Sequence, residues 1–160
     1  MKSTMLAAVA ALALTTTAAA ADSKDARHFL KDAMEGDNSE VMLGQLAAKK
    51  GASEGTRAFG QMLAEDHAKG RADAGRVAGQ LGVPQTDEAM PEAMRERMKL
   101  EGLSGPAFDR EFARYMAEDH TKDIAKFKKA AQMGGPAGDL AKATLPTLEK
   151  HLAEARKLGG

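Results

Sequence analysis

No stretch of this chain alternates β-branched or aromatic residues with polar ones. Between its Gly, Pro and Ser clusters, Ala, Leu, Met, Lys, Glu and Arg dominate. Those residues favour helices, and the alternation a half-buried strand requires is missing, so an all-α fold is expected. Four long helices and a short one can be drawn from the punctuation. The first spans about Lys24 to Lys50 before Gly51, with Gly36-Asp37-Asn38-Ser39 offering a kink or break. The second starts near Ser53 and stops at Gly82-Val83-Pro84. A third long helix begins after Ser104-Gly105-Pro106 and ends at Gly134-Gly135, and a fourth covers about Ala137 to Leu158.

Short loops make helices one and two, and helices three and four, two antiparallel hairpins. The connection between the hairpins is 23 residues long, Gly82 to Ser104, and carries a short helix starting near Pro91. Such a connection can return along the bundle's length, which predicts a ferritin-like four-helix bundle with one crossover; an up-down-up-down bundle is the alternative. Helix two carries Gly55, Gly60, Gly70, Gly75 and Gly79. Close helix approach at Gly75-x-x-x-Gly79 would explain two of them, but for any single glycine a plain compositional bias is the preferred reading.

The N-terminus reads as an export signal over residues 1–21. Lys2 precedes an apolar run from Met5 to Leu14, and Ala19-Ala20-Ala21 supplies the small-residue site, so cleavage is expected after Ala21. The apolar core of about ten residues is too short for a membrane anchor. The mature domain would then be residues 22–160, with 22 basic and 23 acidic side chains, in an oxidising compartment, most simply a bacterial periplasm. Its balanced charge lacks the basic block of a nucleic-acid binder. Zero Cys excludes a disulfide scaffold, a thiolate zinc site and a thiol nucleophile.

The candidate chemistry lies on the buried stripes. Steps of three and four give Leu30, Met34, Asp37, Val41 in helix one; Leu63, His67, Gly70, Ala74 in helix two; Met116, His120, Ile124 in helix three; and Leu148, His151, Ala155 in helix four. An ionisable residue thus interrupts each stripe near its middle. Asp37 lies 15 residues before Ala52 and His67 lies 15 after it, so the two meet at one level, and the same count around Gly135–Pro136 levels His120 with His151. The four are expected to converge. Glu40, one turn from Asp37, could replace or join it, while Asp66 and Asp119 each precede a histidine and point toward a neighbouring helix rather than their own His.

Buried without partners, such groups would cost several kcal/mol, so they pair with one another, with water or with a metal. Three imidazoles with carboxylates suit a divalent transition metal such as zinc, iron or manganese, with aspartates free to orient the rings. The metal set read from the sequence is therefore His67, His120, His151, Asp37, Glu40, Asp66 and Asp119. The competing expectation is a hydrogen-bonded polar layer without metal in a structural or stress-related envelope protein. No nucleophile-base pair or phosphate loop is legible, and Tyr115 is the sole tyrosine, so an enzyme is not expected.

Two other patterns are read as ordinary structure. His28 and Asp32, at i, i+4, form a solvated helix contact. Met90, Met94 and Met98 could hold Cu(I), but are expected as the apolar face of the crossover helix laid against the bundle. A longer pattern repeats: Phe59 to Lys69 reads FGQMLAEDHAK and Phe112 to Lys122 reads FARYMAEDHTK, an offset of 53, as though the two hairpins repeat one another. Duplication, or one local job done twice, would account for it.

Taken with Phe29-Leu30, Glu40-Val41, Leu43-Gly44, Met62, Asp66-His67, Asp119-His120, Thr144-Leu145-Pro146-Thr147-Leu148 and His151-Leu152, the chain resembles the exported bacterial family known as domain of unknown function 4142 over nearly all of residues 25–158. The resemblance implies a ferritin-like bundle and carries no established activity. Ala64, Ala117 and Leu148 stand three residues before the histidines, where the di-iron Glu-x-x-His motif needs Glu, so ferroxidase chemistry is not expected. The outer-membrane label sometimes given to the family has no counterpart here in the alternating strands of a barrel.

Overall fold

The computed structural model describes the backbone of residues 10–160 and the side chains from residue 24 onward. The first part of the leader expected over residues 1–21 lies outside the described residues, as do the side chains of the rest. Among the described residues the chain is all-helical: α1 Ala10–Lys50, α2 Glu54–Gln80, α3 Pro91–Glu101, α4 Gly105–Ala130 and α5 Gly135–Gly159. No helix among them is long and apolar enough to cross a membrane.

The punctuation sets the helix ends. Ser53 caps α2 by accepting from the Thr56 N–H at 3.1 Å. Gly82, at φ 63°, ends it in a left-handed turn, where the Val83 N–H reaches the Ala78 carbonyl at 2.8 Å and Arg27 donates to the Leu81 and Gly82 carbonyls. Pro106 and Pro136 each sit in the first turn of their helix, where no amide donor is required.

α1 packs along α2, α4 along α5, and α2 against α5. Asp109, in the first turns of α4, accepts from the backbone N–H of Ala52 and of Ser53 at 2.8 Å each. α4 therefore starts beside the α1–α2 turn, and Leu158 near the end of α5 lies over Gly55 at the start of α2. It follows that α2 and α4 run one way and α1 and α5 the other, so the chain between α2 and α4 travels back the length of the molecule.

That crossover is tied to α1 in two places. Asn38 donates to the Thr86 and Glu88 carbonyls at 3.1 and 2.9 Å, and Ser39 accepts from the Met90 N–H at 2.8 Å. Farther on, Lys50 donates to the Leu100 and Glu101 carbonyls. The Gly36-Asp37-Asn38-Ser39 run, expected as a kink or break, instead lies inside an unbroken α1 because its polar side chains serve the crossover.

Two further expectations are corrected. α3 buries Ala93, Glu96 and Leu100, leaving Met94 44% and Met98 64% exposed, so these thioethers are not the face laid against the bundle. Close helix approach falls not at Gly75-x-x-x-Gly79 but at Gly44 and Gly60. A Cβ on Gly60 would stand 2.6 Å from both the Gly44 carbonyl oxygen and the Ala48 nitrogen, whereas one on Gly79 would meet nothing within 4 Å.

The apolar interior forms two clusters. Leu30, Met34, Val77 and Ala78 belong to one, and Leu43, Leu63, Phe108, Phe112 and Met116 to the other. His67, His120, His151, Asp37 and Glu40 are buried yet belong to neither, and they occupy the stripe positions between them.

Candidate metal centre

Each histidine arrives on the apolar stripe of its helix, one turn from a core residue: Leu63 before His67, Met116 before His120 and Leu148 before His151. Because α2, α4 and α5 pack side by side, the rings meet. Their centroids lie 5.6 Å (His67–His120), 5.1 Å (His67–His151) and 5.3 Å (His120–His151) apart. His120 and His151 are fully buried and His67 is 5% exposed. Phe59 walls the layer, its ring 6.4 Å from that of His151.

One nitrogen of each ring is engaged outward. His67 Nδ1–H donates to Asp37 Oδ1 at 2.8 Å, His120 Nδ1–H to the Met116 carbonyl at 3.0 Å, and His151 Nε2–H to Asp66 Oδ2 at 2.9 Å. In the neutral rings the remaining nitrogens, His67 Nε2, His120 Nε2 and His151 Nδ1, carry lone pairs. One nitrogen from each of the three rings lies within 4.8 Å of the others. His120 Nε2 and His151 Nδ1 are 3.3 Å apart, and His67 Nε2 has no hydrogen-bond partner.

Electrostatics keep His120 and His151 neutral. Burial lowers His120 to about 3, helped by its histidine neighbours. Burial also lowers His151 to about 4, against the pull of Asp66. Asp66 is itself pushed up by burial, but the hydrogen bond and charge of His151, with Lys150, outweigh that and hold it below the usual carboxylate range. Burial raises Asp37, and its bond to His67 opposes the rise.

The residues predicted from sequence therefore fall into separate places. His67, His120 and His151 come together. Asp37 and Asp66 stand behind His67 and His151, orienting them. Glu40, 1% exposed and without a hydrogen-bond partner for either oxygen, faces Asp119. Its carboxyl is raised well above the usual range, by burial first and then by Asp119. Asp119 thus lies beside Glu40, and no hydrogen bond joins it to a histidine among the described residues. His28 and Asp32 make a 3.5 Å contact with the histidine side chain 76% exposed.

Sequence reasoning missed Asp123, which burial and Asp119 raise to about 6. Its signal was a like-charge i, i+4 pair, which an exposed helix avoids. It also missed a second carboxyl pair, Glu96 on α3 with Glu111 on α4. Burial raises Glu96, while Arg114 and Lys99 hold Glu111 at about 2. No sequence signal marked that pair, because α3's orientation comes from the crossover.

A family described as Domain of unknown function (DUF4142) matches residues 11–158. The chain is similar in fold to the crystal structure of a DUF305 fragment from Deinococcus radiodurans. The two are 18% identical with a TM-score of 0.65, over 86% of this chain and 95% of that one. No curated protein matches the chain.

Proposed function

The chain belongs to the DUF4142 family, a domain of unknown function, and we propose that it binds a divalent transition metal through His67, His120 and His151. One observation carries the reading: all three rings turn a lone pair inward while Asp37, the Met116 carbonyl and Asp66 occupy their outward nitrogens. Metal-ligating histidines are typically fixed in this way by a carboxylate or carbonyl behind them. The 3.3 Å between His120 Nε2 and His151 Nδ1 matches the ~3.3 Å separation of two nitrogens bound at about 2.05 Å to a tetrahedral ion. The His67 nitrogen lies within 4.8 Å of the other two, so bringing it into the same arrangement takes a ring adjustment on the order of 1 Å at most.

A purely architectural layer fits less well. Three acceptors facing one another without a donor is a destabilising core, and a cation is what relieves it. Imidazole donors suit zinc, iron or manganese, and two carboxylates behind the rings balance a dication. The role we assign is binding or storage rather than turnover.

The directions of the helices and the single long return between α2 and α4 support a ferritin-like bundle with one crossover. The leader pattern over residues 1–21 supports export to the periplasm, and mature protein beginning at Asp22 would verify it. The test of function is elemental analysis of exported protein purified without chelator or affinity metal. One equivalent of metal is expected, with a rise in Tm on adding Zn(II), Fe(II) or Mn(II) to stripped protein. Absence of both overturns the proposal.

A further inference from the structure

Beside the histidine layer, between α1 and α4, lies a cavity of about 190 Å³. It reaches the surface at Asp25 and His28 and runs inward to His67 and Tyr115. Its lining is chemically mixed. Phe29, Phe127 and Leu148 supply apolar surface, the two phenyl rings meeting edge to face at 5.0 Å. Asp119 and Asp123 precede Phe127 on the same face of α4, with Lys126 3.2 Å from Asp123 and Lys129 also in the lining. Behind Asp119 stands Glu40, buried, with neither oxygen bonded.

A channel for a bare metal ion has no use for an aromatic wall, and a purely apolar ligand would not need carboxylates. Both together suit an organic cation: ammonium or amidinium donors for the acids, and an apolar body against rings that also attract cations. An apolar cavity of about 150 Å³ holds a benzene molecule in another protein, so this one takes a ligand of about eight non-hydrogen atoms. We propose that this cavity binds a small organic cation, an amine or amidine with an apolar body, its charged group at Asp119 and Asp123 and its body against Phe29, Phe127 and Leu148. The site borders the metal centre at His67 and Asp37, but its charged and apolar contacts require no ion there.

The test uses 2-phenylethylamine as probe on EDTA-treated protein at neutral pH, followed by amide chemical shifts. Saturable shifts are expected around Phe29, Phe127 and Leu148. Binding of 2-phenylethanol, which keeps the body and lacks the charge, is expected to be weaker by about tenfold or more, and phenylacetate is not expected to bind. Asp119→Asn/Asp123→Asn is expected to bring the amine down to the level of the alcohol, with the fold monitored by circular dichroism. If that double variant does not fold, Asp123→Asn alone serves, with a smaller loss of preference for the amine.

Equal binding of amine and alcohol overturns the proposal, as does no saturable amine binding up to ~10 mM. So does a second equivalent of Zn(II) lost in Asp123→Asn when the amine does not bind, since the site would then serve an inorganic cation. The amine assays use metal-free protein and the Zn(II) arm counts only a second equivalent, so the loading of the histidine centre is read separately from both.

Discussion

Replacing Glu40 by Gln is expected to stabilise the metal-free protein, by an amount that grows with pH. Glu40 is 1% exposed, has no donor for either oxygen, and faces Asp119. Burial first, and then the neighbouring Asp119, disfavour its carboxylate, while as an acid it can donate to Asp119, which is why its folded value lies well above the ordinary 4.5. A group raised on folding contributes stability that is fully present below its unfolded value and is lost as pH rises toward the folded one. The loss runs at about 1.4 kcal/mol per pH unit above that ordinary value.

Between about pH 5 and 6.5 it therefore amounts to at most roughly 2 kcal/mol. Glutamine has the same shape, so no void opens, and its amide can donate to Asp119 at any pH. The assay is urea unfolding of wild type and Glu40→Gln at both pH values with EDTA. His120 and His151 titrate in both proteins and cancel, so the difference between them reports Glu40 together with the Asp119 and Asp123 carboxyls linked to it. A gap that does not widen with pH, or a variant less stable at pH 6.5, would refute a buried acid pair.

In stripped protein, two-bond nitrogen–proton spectra should find His67 and His120 protonated at Nδ1 and His151 at Nε2, with His120 and His151 still uncharged at about pH 5 because burial holds them near 3 and 4. A charged ring, or the opposite tautomer in any of the three, contradicts the inward lone pairs. Asp66→Asn should weaken Zn(II) binding by about ten- to a hundredfold in chelator competition while leaving the apo fold intact; an unchanged affinity would remove Asp66 from the centre. Gly60→Ala should lower stability by about 1–3 kcal/mol, since its Cβ meets backbone of α1 at 2.6 Å. Gly79→Ala, which meets nothing within 4 Å, should raise stability by up to about 1 kcal/mol in thermal melts.

The common height of the histidines was legible because rise per residue and a short turn fix where two helices of a hairpin meet. The same logic reaches the helix ends, where Ser53, Gly82, Pro106 and Pro136 act locally. What counting could not reach is rotation about the helix axes. That decides that Asp66 faces His151 while Asp119 faces Glu40, although the local sequences around the two aspartates are nearly the same. It likewise hid the orientation of α3. An 11-residue helix tied at its approaches by Asn38, Ser39 and Lys50 takes its facing from those bonds, so its methionines point outward despite their spacing. Gly44 opposite Gly60 was hidden for a related reason, since neither glycine's sequence neighbourhood names the helix it touches.

The FGQMLAEDHAK and FARYMAEDHTK stretches lie on α2 and α4, the second helix of one pair and the first of the other, so copying a hairpin in chain order does not produce them. They run in the same direction, with Phe59 and Phe112 rings 5.9 Å apart and His67 and His120 rings 5.6 Å apart. This amounts to an approximate two-fold axis down the middle of the molecule, exchanging α2 with α4 and α1 with α5. Under that exchange Asp66 maps to Asp119, and the partner of Asp66, His151, maps to the partner of Asp119, Glu40. The two halves of the layer therefore differ twice: an imidazole stands on one side where a carboxyl stands on the other, and His67 leans on Asp37 of α1 while His120 leans on the Met116 carbonyl of its own helix. Its basic half is where the inward lone pairs gather, and its acidic half borders the cavity.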